Sequence, residues 1–180
     1  MVLMKEVEAK ILEVNNNQIE ASLARLGAKR VFDGEIETFF FDFKEGTIVK
    51  AKNLLRLRRE EDRIELTYKK VHETRVAKVA DEYSVRVSDI ETMKNILEFL
   101  GLSVTESMRK HRVSYSLDRG RFDMDRYEGK YSYIPEFLEI EAESAESIHK
   151  YAVLLGFSTK DCLPWSTQDL INYYPSKRSK

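Results

Sequence analysis

The stretch Lys5–Leu12, KEVEAKIL, alternates in character. Read with the period of two of a β-strand, it puts Glu6, Glu8 and Lys10 on one face and Val7, Ala9 and Ile11 on the other. Two acids and a base in a row on one side of a strand need either water or partners. Which of the two they have decides the fold.

The same reading repeats along the chain. Arg56 and Arg58 oppose Leu55 and Leu57. Glu65, Thr67 and Lys69 oppose Ile64, Leu66 and Tyr68. Glu82, Ser84 and Arg86 oppose Tyr83, Val85 and Val87. Lys110 and Arg112 share a face. Asp123 and Asp125 oppose Phe122 and Met124, and Glu139 and Glu141 oppose Leu138 and Ile140. For any single strand a solvated sheet face is the ordinary explanation. Taken together the strands say more, because nearly every polar slot is ionisable and Arg and Glu dominate.

Amphipathic helices elsewhere in the chain need a surface, and the apolar strand faces supply one. A sheet closed into a barrel with that apolar face outward turns the charged face into a lumen. Such a lumen would hold seven bases: Lys10, Arg56, Arg58, Lys69, Arg86, Lys110 and Arg112. It would hold a similar number of acids. Enclosed charges without partners are costly. Clustered Arg and Lys suit phosphate oxygens. Clustered carboxylates suit Mg²⁺ or Mn²⁺, which bridge phosphates. A metal–polyphosphate ligand uses both halves of the set.

Composition sets the frame. The 180 residues fit one domain able to bury a sizeable core, with 42% hydrophobic and 34% charged residues. Thirty basic residues balance 31 acidic ones, and the net charge of −1 argues against a nucleic-acid or membrane partner. Cys162 is the only cysteine, so no intramolecular disulfide is expected and a reducing compartment is the default. No signal-peptide pattern or bilayer-length apolar run is read, and the expected location is cytoplasmic.

A strand beginning at Glu leads three times into an amphipathic helix ending in Leu-Gly. Asn17 with Glu20 and Ser88 with Glu91 resemble capping boxes, and Ser144 is a candidate N-cap. Gly27, Gly101 and Gly156 stand where a left-handed C-cap belongs. Between the helices ETFFFDF, NLLRLRRE, RIELTYKK, MRKHRVSYSLD and GRFDMDRY read as strands. DFKEGTIVKAK, VHETRVAK and EGKYSYIP read as loops. A last helix, STQDLINYY, stops at Pro175. About eight strands and four helices make an α+β, mainly antiparallel domain over residues 1–175, with a flexible tail at 176–180.

EVEAK resembles the Glu-x-Glu-x-Lys signature of the CYTH proteins, the triphosphate tunnel metalloenzymes, whose members include class IV adenylyl cyclase-like and thiamine triphosphatase-like proteins. LRLR, ELTYK, the KHR base pair, DRYEG and FLEIEAES follow in order along nearly the whole chain. STQDLINYY resembles the closing helix of the class IV adenylyl cyclase-like members. The resemblance implies an eight-stranded antiparallel barrel, closed or nearly closed, with helices outside and a charged tunnel that binds a triphosphate. It implies Mg²⁺ or Mn²⁺ held by Glu6, Glu8, Glu139 and Glu141 with Asp125. Arg56, Arg58, Lys69, Lys110 and Arg112 would grip the phosphate chain, with Arg86 as a further lumen base. Lys10 and Glu8 would be catalytic: Lys10 touches phosphate or helps activate the attacking water. Glu65, Glu82 and Asp123 are further lumen candidates. The family pattern departs at Thr38 and Phe40, where many members carry aspartate and tyrosine.

The leading expectation is a metal-dependent hydrolase of tripolyphosphate or of a nucleoside or thiamine triphosphate. The alternatives are a class IV adenylyl cyclase, making cAMP and pyrophosphate from ATP, and a non-catalytic polyphosphate or nucleotide binder. The partner is a small molecule, and a homodimer is compatible with the family. His72, His111 and His149 are too scattered for a zinc site. The segment from Asp161 to Trp165 is a candidate cover for one tunnel mouth.

Overall fold

The computed structural model describes residues 4–72 and 78–174, with backbone only for 4–6, 72, 78 and 79. The expected tail at 176–180 and the stop at Pro175 lie outside the described residues. Eight strands run in chain order: β1 Met4–Leu12, β2 Lys29–Phe43, β3 Leu54–Glu60, β4 Arg63–His72, β5 Lys78–Val87, β6 Leu102–Leu117, β7 Gly120–Tyr127 and β8 Phe137–Ala142. All neighbours are antiparallel, and the ring closes in the order β1-β5-β4-β3-β2-β6-β7-β8. The first strand is the closing stave, pairing with β5 on one side and β8 on the other. Beyond the end of the β5 pairing, Leu163 takes over that side of β1 through two 2.8 Å backbone bonds with Lys10.

The helices α1 Asn16–Arg25, α3 Ile90–Phe99 and α4 Ala145–Leu154 pack outside, as the alternation requires. Ile19 and Leu23 of α1 and Ile148 and Ala152 of α4 cover Phe122, Met124, Leu138 and Ile140, the outward residues of β7 and β8. Ile90 and Leu97 of α3 cover Phe41 and Leu57. These strands are therefore covered on their outer face by the core, and the charged face has only the interior left to it.

Local details differ from the sequence reading. The N-cap of α1 is Asn15, whose side chain accepts from Gln18 N–H, rather than Asn17. That of α3 is Asp89, accepting from Thr92, rather than Ser88. Ser144 does cap α4, and Gly27, Gly101 and Gly156 hold positive φ. A four-residue helix, α2 Thr47–Lys50, interrupts the stretch read as a loop. It forms because the buried Asp42 carboxylate accepts from the N–H groups of Phe43, Ile48 and Val49.

The fifth helix, α5 Thr167–Tyr173, occupies a different place. Its start is a reciprocal cap, in which Ser166 and Asp169 each accept from the other's backbone N–H. Leu170 is fully buried among Met108, Tyr127 and Phe137, with Leu12 and Phe40 beside them. Those five strand residues have the parity of the charged face, so α5 plugs one end of the barrel rather than lying on its outside. Trp165 packs in the same cluster. The triple phenylalanine is thereby divided: Phe39 and Phe41 face the outer core, Phe40 the plug. Among the described residues no helix is long and apolar enough to cross a membrane.

Candidate functional site

Directly paired residues of adjacent strands lie on the same side of a sheet, so the register carries the lumen face around the ring. Glu8 stands opposite Glu141 and Lys10 opposite Glu139. Glu139 stands opposite Asp123 and Asp125 opposite Arg112. Arg58 stands between Thr38 and Glu65, and Lys69 opposite Glu82. Glu6 lies opposite Ala80; its side chain is outside the described residues.

Arg112 is the hub. Only 5% exposed, it donates from Nε and Nη2 to the two oxygens of Asp125, each at 2.6 Å, and from Nη1 to Asp123. Its Nη2 also lies 3.6 Å from Glu139. Lys110 Nζ donates to the same Asp125 at 2.6 Å. Lys10 donates to Glu139 and lies 3.8 Å from Glu8. On the far wall Lys69 meets Glu82 at 2.9 Å, and Arg56 approaches that carboxylate at 3.9 Å. Ser84 donates to Glu82 at 2.9 Å and meets Thr67 at 2.9 Å. Glu65 accepts from Arg63.

The electrostatics follow from burial and neighbours. Burial pulls Lys10 down, but the charges of Glu139 and Glu8 outweigh it and hold the ammonium above its ordinary range. Burial and then Arg112 lower Lys110 to about 8. Arg58 is lowered to about 10, first by burial and then by the guanidinium of Arg56, with Arg112 adding to it. Burial works against ionisation of Glu139 and Asp125, yet Lys10 and Arg112 keep Glu139 charged, and Arg112 and Lys110 keep Asp125 charged. Arg56 and Arg112 thus press on Arg58, and Glu60, at 3.9 Å, and Glu65 offset them only in part.

Six of the seven expected bases are brought together on the enclosed face. Arg86, although opposite Glu65 in register, is exposed. Further lumen residues were missed, among them Glu60, Arg121 and Tyr127. Parity would have found them, since they stand two residues from Arg58, Asp123 and Asp125. Arg121 Nε donates to Asp123 at 2.9 Å. Tyr127 meets Thr167 of α5 at 3.2 Å through its hydroxyl, and burial lifts that hydroxyl to about 12. His111 faces outward, 3.0 Å from Asp33.

Glu139 is held by Lys10, and Asp125 by Arg112 and Lys110. Among the described residues no three His, Cys, Asp or Glu side chains converge as a ready cation cage. The opposed pair Glu8 and Glu141, with Glu139 beside them, offers carboxylate oxygens alone. That donor set fits a hard divalent cation rather than zinc or copper.

The CYTH domain family model matches residues 4–153. The chain belongs to the CYTH domain family. It is 28% identical over 151 residues, 84% of each chain, to the "putative adenylate cyclase MJ0240" of Methanocaldococcus jannaschii. The solved PH1012 protein of Pyrococcus horikoshii superposes with a TM-score of 0.76 at 28% identity, over 93% of this chain and 99% of that one. A Hippeastrum "putative adenylyl cyclase", HpAC1, described as having a dominant triphosphatase activity, shares the fold at a TM-score of 0.66 and 13% identity, over 94% and 95% of the chains. CYTH membership, the closed barrel and the charged interior of this chain thus agree.

Proposed function

We propose that this protein binds a triphosphate inside the barrel and hydrolyses it with the help of Mg²⁺ or Mn²⁺. The observation that carries the reading is the cation cluster around Arg58. A guanidinium enclosed beside Arg56 and Arg112, with Glu60 3.9 Å away and Glu65 offsetting them only in part, is relieved by a polyanion.

Arg56, Arg58, Lys69, Lys110 and Arg112 would take the phosphate oxygens, the arginines through paired N–H groups. Phosphoryl transfer asks mainly for positioning and for positive charge where negative charge develops. Lys10 is an ammonium at neutral pH, so it acts by donating a hydrogen bond to a phosphate oxygen while Glu139 fixes its direction. Asp123 and Asp125 hold the Arg112 fork in place. The plug formed by α5 excludes water from one end of the cavity. A divalent cation held by Glu8 and Glu141, with Glu6 and Glu139, would supply additional positive charge for the phosphate oxygens.

The second reading, adenylyl cyclisation, is favoured by the name of the Methanocaldococcus jannaschii relative. It needs the same phosphate grip, with attack by the ribose 3′-hydroxyl on the α-phosphorus and departure of pyrophosphate. The test is a product assay with Mg²⁺ or Mn²⁺ and, separately, tripolyphosphate and ATP, resolved by ion exchange. Orthophosphate without cAMP supports the hydrolase; cAMP with pyrophosphate replaces it by the cyclase. Tight binding with no product reduces the protein to a binding module. Glu141→Gln is expected to abolish metal-dependent turnover with the fold intact, and a wild-type rate would sink the metal assignment.

A further inference from the structure

The lumen carboxylate Glu60 has no use in the reading above. Glu60 ends β3 two residues beyond Arg58, on the same face. Its Oε2 lies 3.9 Å from Arg58 and its Oε1 3.9 Å from Arg121 of β7, both beyond hydrogen-bond reach. The side chain is 12% exposed, and Oε1 is buried without a hydrogen-bond partner. Arg121 is committed elsewhere, giving Nε to Asp123 at 2.9 Å and Nη2 to Ser114 at 3.1 Å. A buried carboxylate oxygen lacking a donor is costly to leave so. A phosphate chain cannot supply that donor, because two anions repel.

The closed end of the barrel supplies direction. Leu170, Tyr127 and Phe137 shut the cavity near Lys10 and Lys110, whose ammonium groups lie 5.9 Å from the Phe137 and Tyr127 ring centres respectively. Glu60 stands at the other end, beside the half-exposed Arg121. A triphosphate seated on the lysines and arginines must therefore extend whatever it carries toward Glu60.

We propose that Glu60 is a specificity-determining residue that accepts a hydrogen bond from a hydroxyl or amine on the organic group attached to the triphosphate. Its preferred ligand is an organic triphosphate of the nucleoside type, in preference to bare tripolyphosphate. This rests on the triphosphate reading of the site and narrows it.

The test is calorimetry on the full chain with Mg²⁺ and three probes: the bis-methylene analogues of ATP, methyl triphosphate and tripolyphosphate. Carbon in place of both bridging oxygens prevents hydrolysis and cyclisation. Methyl triphosphate matches the charge of ATP but offers no donor. The unaltered chain is expected to hold the ATP analogue more tightly than the methyl triphosphate analogue. Glu60→Ala should weaken the ATP analogue by about tenfold and leave the other two unchanged or tighter. Glu60→Gln, which keeps an acceptor oxygen, should retain part of the preference. Equal shifts for all three probes would overturn the assignment and leave Glu60 a counter-ion. Should Glu60→Ala not fold, an ATP preference untouched by Glu60→Gln, or absent from the unaltered chain, overturns it equally. Binding of none of the probes by the unaltered chain overturns the triphosphate reading itself.

Discussion

Replacing Arg112 by methionine keeps most of the side-chain volume and removes one charge from the centre of the barrel. The structure sets the size of the effect. Arg112 makes three hydrogen bonds to Asp125 and Asp123, and those carboxylates are 0% and 3% exposed. Lys110 and Arg121 remain as partial partners, but two enclosed anions lose their shared fork. Breaking a buried pair from one side costs about 3–5 kcal/mol. The matched control is Arg109→Met, three residues earlier on β6. Arg109 is 71% exposed and pairs with Glu37 at 3.0 Å on the outer face, so its loss should cost about 0–1 kcal/mol. Urea unfolding followed by circular dichroism measures both, provided the m-value stays constant. For a chain of this length, the Arg112 variant should also melt about 6–20 °C lower. Raising the salt concentration should erase the small Arg109 effect and leave the Arg112 effect standing. Equal losses in the two variants would refute the claim that the charged face is an enclosed interior.

Arg58→Met should act in the opposite sense on the empty protein. Burial, then the Arg56 guanidinium, lower its pKa to about 10, which bounds the cost of keeping it charged at about 3 kcal/mol. Thermal melts should show the variant as stable as the parent or more so, while calorimetry shows weakened triphosphate binding. Glu82 is opposed by burial but drawn down to about 2 by Lys69 and Arg56. Its folded pKa lies below the unfolded value, so its contribution is present above pH 4.5 and disappears as pH falls toward 2. Glu82→Gln should therefore flatten the acid limb of the stability curve across that window, as read by urea titrations at successive pH values. Leu170→Ala removes a fully buried plug residue and should cost about 2–5 kcal/mol. Its loosened plug should quicken hydrogen exchange in α5 before that in β6, and unchanged exchange would mean that the helix is not a plug.

Alternation made much of the barrel legible. In a closed sheet one face must be interior throughout, so reading KEVEAKIL correctly fixed the side of Arg58, Lys69, Arg112 and Glu139 as well. The helix starts were less legible because Asn15, Asn16 and Asn17 are equivalent as capping residues, and only the turn that buries Ile19 and Leu23 chooses among them. The plug was hidden for a similar reason. Leu12, Phe40, Met108 and Phe137 occupy charged-face slots with apolar side chains. In isolation each looks like a lapse in the pattern, and only the ring brings them to one end. Glu60 and Arg121 keep the parity of Arg58 and Asp123 but stand at strand ends beside turns, where a strand reading is the first to be cut short.

The position of β1 as closing stave has a consequence for how the protein comes into being. Lys10 and Glu139 are 129 residues apart in sequence, and Glu8 meets Glu141 only where the first and last strands pair. Such distant pairings are slow to form, so the seam is expected late in folding. No partly folded chain can own the whole of this site, since the two halves of the carboxylate set belong to the first and last strands. A ligand that touches both becomes a clasp on the seam. It stabilises the protein by mass action and should slow the ring's opening, so that resistance to unfolding would track the supply of what the protein binds.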